Sequence, residues 1–199
     1  MSTSLNGIRI AILVTDGFEQ IELTSPKAAL EKEGATTIVA SDKKGQVQGF
    51  HHDKKADQFL VDQLLDDIDP NDFDAVLLPG GVHNSDTIRT NQSAQKFVQT
   101  MESQNKPIAV ICHGAWLLVS AGLVKGRTIT SWPSLQDDIR NAGGKWVDQE
   151  VAADGNWISS RKPDDLPAFN EAVIKSIASH KHQSVRGTED ENAVGLAAG

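Results

Sequence analysis

The chain of 199 residues holds a single cysteine, Cys112, and its neighbours make it a candidate nucleophile. Pro107-Ile-Ala-Val-Ile111 is a continuous apolar run that reads as a buried strand, and Gly114 to Ala121 reads as an apolar helix ended by Gly122. Cys112 stands where one becomes the other, as in a nucleophile elbow. A tight turn there lifts the side chain clear of the sheet, the small Gly114 lets the helix approach, and the helix N-terminus favours a negative sulfur. Such a setting lowers a cysteine pKa from about 8.5 toward about 7 or below. One Cys cannot form an internal disulfide, and a thiolate metal cluster lacks its other ligands. A lone Cys is more often buried filler, and it is the position at a strand end that points to a reactive thiol.

The elements that must position it follow from apolar periodicity and breakers. Ile8 to Val14 predicts a buried strand running into Thr15-Asp16-Gly17, and Thr36 to Ala40 a second strand. Thr24-Ser25-Pro26 reads as a helix start, with Lys27 to Glu33 helical and Gly34 closing it. Ser41 to Asp72 predicts hairpins and turns, Ala75 to Leu78 a strand ending in Pro79-Gly80-Gly81, and Ser93 to Glu102 a helix. Beyond Cys112, strands are expected at 128–131, 146–151 and 157–159, and helices at 134–141 and 166–178. This alternation means an α/β fold with a mostly parallel sheet covered by helices on both faces. The expected organisation is one domain over residues 1–179 and a polar tail over 180–199. In open sheets ligands bind outside the carboxyl ends of the strands, where Asp16-Gly17, Pro79-Gly80-Gly81 and Cys112-His113-Gly114 converge on one rim. Backbone N–H groups at Gly80, Gly81 and Gly114 are candidate oxyanion donors.

Composition narrows the partners. Hydrophobic residues make up 39% and charged residues 23%, as in globular domains. A net charge of -8 leaves no overall positive field for phosphates, so nucleic acid is not expected. No basic leader precedes an apolar run and no stretch approaches a membrane span, so the expected location is cytoplasmic, without membrane contact. His51-His52 and His180/His182 lack a Cys or acidic partner at ligand spacing and read as solvated, so neither metal nor cofactor is expected.

Six segments together resemble one family: Asp16-Gly-Phe-Glu-Gln-Ile-Glu-Leu-Thr-Ser-Pro26, Leu78-Pro-Gly-Gly81, Ile111-Cys-His-Gly114, Asn141-Ala-Gly143, Val147-Asp-Gln-Glu-Val151 and Ser159-Ser-Arg-Lys-Pro-Asp-Asp-Leu166. They resemble the PfpI family, relatives of the parkinsonism-associated protein in the glutamine-amidotransferase-like superfamily, over residues 8–179. The resemblance implies a flavodoxin-like three-layer sandwich, a homo-oligomer (dimer or hexamer of dimers) and a cysteine-dependent, cofactor-independent activity. Family members are described as intracellular cysteine peptidases, as glyoxalases, as deglycases and as stress-response proteins, so the label does not fix one reaction.

The resemblance also assigns roles. Glu19 matches the acidic residue beside the nucleophile, leaving Glu22 as structural or surface. His113 matches the family's Cys-His pair, as candidate base or backbone donor. Asp86, three before Arg89, matches the carboxylate that orients the imidazole of a neighbouring subunit, although Val82-His-Asn-Ser85 replaces the shorter loop of many relatives. Trp116 and Trp132 are the aromatics best placed to wall the pocket, while His83 reads as a surface-loop histidine and Arg161 as an ion-pair partner. The first expected function is attack of Cys112 on a small 2-oxoaldehyde, with Glu19 or His113 moving the proton. The second is peptide cleavage by a Cys112/His113/Asp86 triad. The third is a redox-sensing chaperone.

Overall fold

The structure, a computed structural model, describes residues 4–196, with side chains described through Lys181. Its strands are β1 (Arg9–Leu13), β2 (Phe18–Glu19), β3 (Thr36–Ser41), β4 (Gln46–His51), β5 (Lys54–Leu60), β6 (Gln63–Leu64), β7 (Ala75–Leu78), β8 (Ile108–Ile111), β9 (Thr128–Ile129), β10 (Lys145–Trp146), β11 (Val151–Asp154) and β12 (Trp157–Ser160). Its α-helices are α1 (Gln20–Lys32), α2 (Val82–Ile88), α3 (Gln92–Ser103), α4 (Ala115–Ser120), α5 (Gln136–Asn141) and α6 (Leu166–Leu196). Seven strands form the central sheet in the order β11-β12-β8-β7-β1-β3-β6, all parallel to their neighbours except β11 against β12.

Strand side chains alternate between faces, and both faces are apolar because both are covered. Ile10, Ile12, Leu77 and Ile111 pack with Leu23 and Leu30 of α1 and Phe169, Val173 and Ile177 of α6. Ala11, Leu13, Val76, Leu78 and Val110 pack on the other face with Phe97, Val98 and Met101 of α3 and with Leu117 and Leu118 of α4. The result is the flavodoxin-like three-layer sandwich, in which burial of each such side chain contributes roughly 1.5–3 kcal/mol.

Several boundaries differ from the sequence expectation. Helix α1 begins at Gln20 and contains Pro26, whose missing N–H leaves only the Glu22 carbonyl without its intrahelical donor. Residues 82–88 are helical rather than a loop. The strand expected at 128–131 stops at Ile129 because the chain turns back, the Trp132 N–H donating to the Cys112 carbonyl at 3.2 Å. Residues 147–150 lie between β10 and β11 rather than in one strand. Helix α6 runs past Ala178 to Leu196, where a tail was expected, and residues 197–199 lie outside the described residues. No helix among the described residues is long and apolar enough to cross a membrane.

Strands β1, β7 and β8 are adjacent, so their C-terminal turns meet at one rim. Asn84, fully buried in α2, ties two of those turns together. Its Oδ1 accepts the Thr15 N–H at 2.7 Å, and its Nδ2 donates to the Pro79 and Gly80 carbonyls at 3.1 and 2.9 Å. Asn84→Ala strands these buried groups and is expected to lower stability by about 3 kcal/mol, measured by urea unfolding at unchanged m-value. A loss within about 0.5 kcal/mol would show that the turns hold without it.

Candidate active site

Cys112 lies between β8 and α4 with φ 61°, in the left-handed region that non-glycine residues rarely occupy. Strain of this kind, of order 1–3 kcal/mol, persists only where surrounding structure over-determines it. Here a Cβ on Gly114 would sit 2.5 Å from the Leu78 carbonyl oxygen, and one on Gly80 would sit 2.7 Å from Cys112 Cβ. These glycines let the elbow pack directly on the end of β7. The sulfur's residue is only 6% exposed, at the floor of a cleft of about 390 Å³.

The carboxyl beside the sulfur belongs to Glu22. It projects from the first turn of α1 and is fully buried, its Oε2 accepting the Gly80 N–H at 2.8 Å. Its Oε1 makes no hydrogen bond, and the Cys112 thiol and Glu19 are its polar neighbours. Burial raises the Glu22 pKa to about 8, so at neutral pH the carboxyl beside the thiol is mostly protonated. Burial also pushes the Cys112 thiol up, and an ionised Glu22 pushes it further, whereas the His113 and Gly81 N–H groups favour the thiolate. The thiol lowered by a helix N-terminus, expected from sequence, is therefore not what the geometry gives. The turn ahead of α4 does supply a favourable amide, that of His113, but its effect is smaller than that of burial.

His113 is the second polar contact, its Nδ1 3.2 Å from the sulfur. The ring stacks on Trp132 at 5.7 Å and meets the edge of Trp116 at 5.3 Å. Burial lowers its pKa to about 4, so at neutral pH the pair is a thiol beside a neutral imidazole.

The structure redistributes the other expected roles. Glu19 ends β2 and its Oε2 accepts the His52 N–H at 2.9 Å, so it stands at the cleft wall rather than beside the sulfur. The shift follows from the earlier start of α1, which leaves Glu19 paired with Phe50 and turns Glu22 inward. Gly80 spends its N–H on Glu22 and is no free oxyanion donor, Gly81 keeps an N–H toward the sulfur, and Gly114 serves the close approach to Leu78. Trp116 does not line the cleft: its Nε1 donates to Asp138 at 2.8 Å, and the ring backs His113 beneath Arg89. Trp132, 38% exposed, forms that wall. Asp86 is exposed on α2, does not bond His113 of its own chain, and does not cap the helix, whose N-cap is Gly81. Arg161 pairs with Asp148 and Asp165 as expected, steadying the loop that brings Pro163 to the cleft. His83, read from sequence as a surface-loop histidine in the loop after Gly81, lines the mouth together with His52 and Asp53, whose placement no local pattern signals because Glu19 and His52 are 33 residues apart.

Residues 8–176 match the DJ-1/PfpI family. The chain belongs to that family. It is 42% identical to the deglycase TK1284 of Thermococcus kodakarensis over 168 residues, covering 84% of this chain and 98% of the relative. It is 39% identical to protein/nucleic acid deglycase 2 of Escherichia coli over 170 residues, covering 84% and 96%. The structure of Drosophila melanogaster DJ-1beta superposes with a TM-score of 0.78 at 26% identity, covering 91% of this chain and 97% of that one.

Ionisation of Glu22 near pH 8 sets a negative charge against the sulfur and opposes thiolate formation. Glu22→Gln keeps the side chain's size and its acceptor for Gly80 but cannot become negative. The pH midpoint of Cys112 alkylation by iodoacetamide is therefore expected to fall in Glu22→Gln relative to the unmodified protein. A midpoint that does not move would separate the two groups electrostatically.

Proposed function

We propose that this DJ-1/PfpI protein acts on small 2-oxoaldehydes, free or as adducts, through Cys112 and without a cofactor. The observation that carries the proposal is a thiol, a buried carboxyl and an imidazole lining one cleft, with the imidazole Nδ1 3.2 Å from the sulfur and burial pushing the carboxyl up to about 8. The names of the two deglycase relatives point the same way.

The groups suffice for a balanced reaction. The sulfur bonds to the aldehyde carbon, the carbonyl electron pair moves to oxygen, and that oxygen takes up the thiol's proton, giving a hemithioacetal. A carboxylate at Glu22, or His113, then removes the hydrogen from that carbon as a proton, and the resulting enediol is reprotonated at the neighbouring carbon. The product is a 2-hydroxyacyl thioester, which water hydrolyses to the 2-hydroxy acid and free thiol. A carboxyl that titrates near 8 is suited to this return of a proton, because both its forms are populated near neutral pH. Glu22 thus takes the shuttle role first expected of Glu19.

Peptide cleavage is less well served by one chain. A triad needs an imidazole basic enough to hold the thiol's proton, and burial takes His113 the other way. Asp86 is exposed on α2, beside Val82, which is 52% exposed at the cleft mouth. We therefore also propose a homo-oligomer in which Asp86 of one subunit approaches His113 of the next.

One experiment tests both proposals. Methylglyoxal is expected to give lactate with the unmodified protein and none with Cys112→Ala, while a fluorogenic peptide is left uncut. Asp86→Ala mixed with Cys112→Ala is expected to regain part of the activity lost in each, because mixed oligomers hold one intact site. Peptide cleavage that depends on Cys112 would favour the triad, and protection of an aggregating client that survives Cys112→Ala would favour a chaperone. If subunits exchange and no activity returns, the shared site fails.

A further inference from the structure

The hairpin of β4 and β5 pairs with β2 beside the rim, and its two-residue turn, His52-Asp53, lines the same cleft as Trp132 and Pro163. Most of the hairpin is fastened away from that mouth. Gln48 receives two bonds from the first rim turn, its N–H donating to Asp16 Oδ1 at 2.8 Å and its carbonyl accepting the Gly17 N–H at 2.8 Å. Farther along, the Gln20 amide pairs with Asp57, donating at 2.7 Å and accepting at 2.8 Å. The turn itself is different. Among the described residues, the one hydrogen bond joining His52 or Asp53 to anything outside the hairpin is the His52 N–H to Glu19 Oε2, at 2.9 Å.

That bond holds a strained residue. His52 has φ 58°, at the first central position of a two-residue hairpin turn, where glycine is the favoured residue. Nothing encloses its ring, which is 87% exposed, with Nδ1 3.8 Å from the same Glu19 oxygen. A bulky residue in this conformation on an exposed turn needs an outside constraint, and the largely buried Glu19 carboxylate is the group that supplies one.

We infer that Glu19 is a specificity-determining positioning residue: it fastens the hairpin turn across the cleft and so sets how large a molecule reaches Cys112. The inference rests on Cys112 being the reacting group, and it corrects the sequence expectation for Glu19. The acid contributes the position of the wall, and the proton chemistry belongs to Glu22. Small dicarbonyls pass beneath the fastened turn, and substituents the size of a phenyl ring are held out.

The test reads the turn and the access separately, without using turnover. Exchange of the His52 backbone amide is followed by NMR, and Cys112 alkylation is timed with iodoacetamide and with N-phenylmaleimide. Glu19→Gln retains an acceptor and is expected to keep both the slow exchange and the preference for the smaller reagent. Glu19→Leu retains bulk without an acceptor. It is expected to speed His52 exchange about tenfold and to raise the ratio of bulky to small alkylation about fivefold, the scale of losing one charge-assisted hydrogen bond. If Glu19→Leu does not fold, Glu19→Ser, which is too short to reach the turn, gives the same comparison. Unchanged exchange and ratio would overturn the inference. So would faster exchange with an unchanged ratio, or a change in Glu19→Gln equal to that in Glu19→Leu. Failure of the unmodified protein to convert methylglyoxal would overturn the aldehyde proposal and leave this comparison standing.

Discussion

The contact between Cys112 and Glu22 is the constraint on which the site depends. It places a group that must lose a proton beside one that must not hold a charge, both out of water. Neither can ionise at its ordinary pKa, because the low dielectric penalises the first charge and the neighbour penalises the second. The arrangement is useful for chemistry that moves one proton back and forth and poor for chemistry that needs a standing thiolate–imidazolium pair. It also has a stability consequence. A carboxyl whose folded pKa is raised to about 8 binds more protons folded than unfolded, so its contribution becomes less favourable as pH rises from the ordinary carboxylate range through 8.

The fold holds those two groups together. Cys112 holds a left-handed backbone because β8 ends against the Gly80 turn, because Gly114 lies on the Leu78 carbonyl, and because Trp132 returns to cap the elbow. Glu22 is carried by the first turn of α1, pinned to the sheet by Leu23 and Leu30. Asn84 ties the ends of β1 and β7 across the gap between them. The two faces of the sheet therefore contribute unequally: one helix brings the acid, and the opposite layer supplies the aromatic bed for His113.

Much of this was legible in the sequence. Apolar runs ending in Asp16-Gly17, Pro79-Gly80-Gly81 and Cys112-His113-Gly114 located the rim, because strands buried on both faces leave an unmistakable pattern. The choice between Glu19 and Glu22 was not legible. Pro26 is a strong local signal for a helix start, and only tertiary packing reveals that α1 begins six residues earlier and tolerates it. The burial of Cys112 was equally hidden, since a strand-to-helix turn fixes the direction of an amide but says nothing of how deep the sulfur lies. Trp116 and Trp132 are both near the elbow in sequence or space, yet which one faces the cleft depends on the Asp138 partner and on a turn that no local rule predicts. The meeting of Glu19 with His52 is a long-range strand pairing, invisible to spacing arguments.

Protonation of Glu22 at neutral pH is the property on which the chemistry proposed for Cys112 most directly depends. Infrared difference spectra recorded from pH 6 to pH 10, with Glu22→Gln as the reference, isolate the carbonyl stretch of that one protonated carboxyl. The account predicts a protonated-carboxyl band at pH 6 that is absent from Glu22→Gln and disappears with a midpoint near 8. A spectrum with no such band at pH 6, only the carboxylate, would mean that Glu22 is already ionised beside the sulfur and would contradict it.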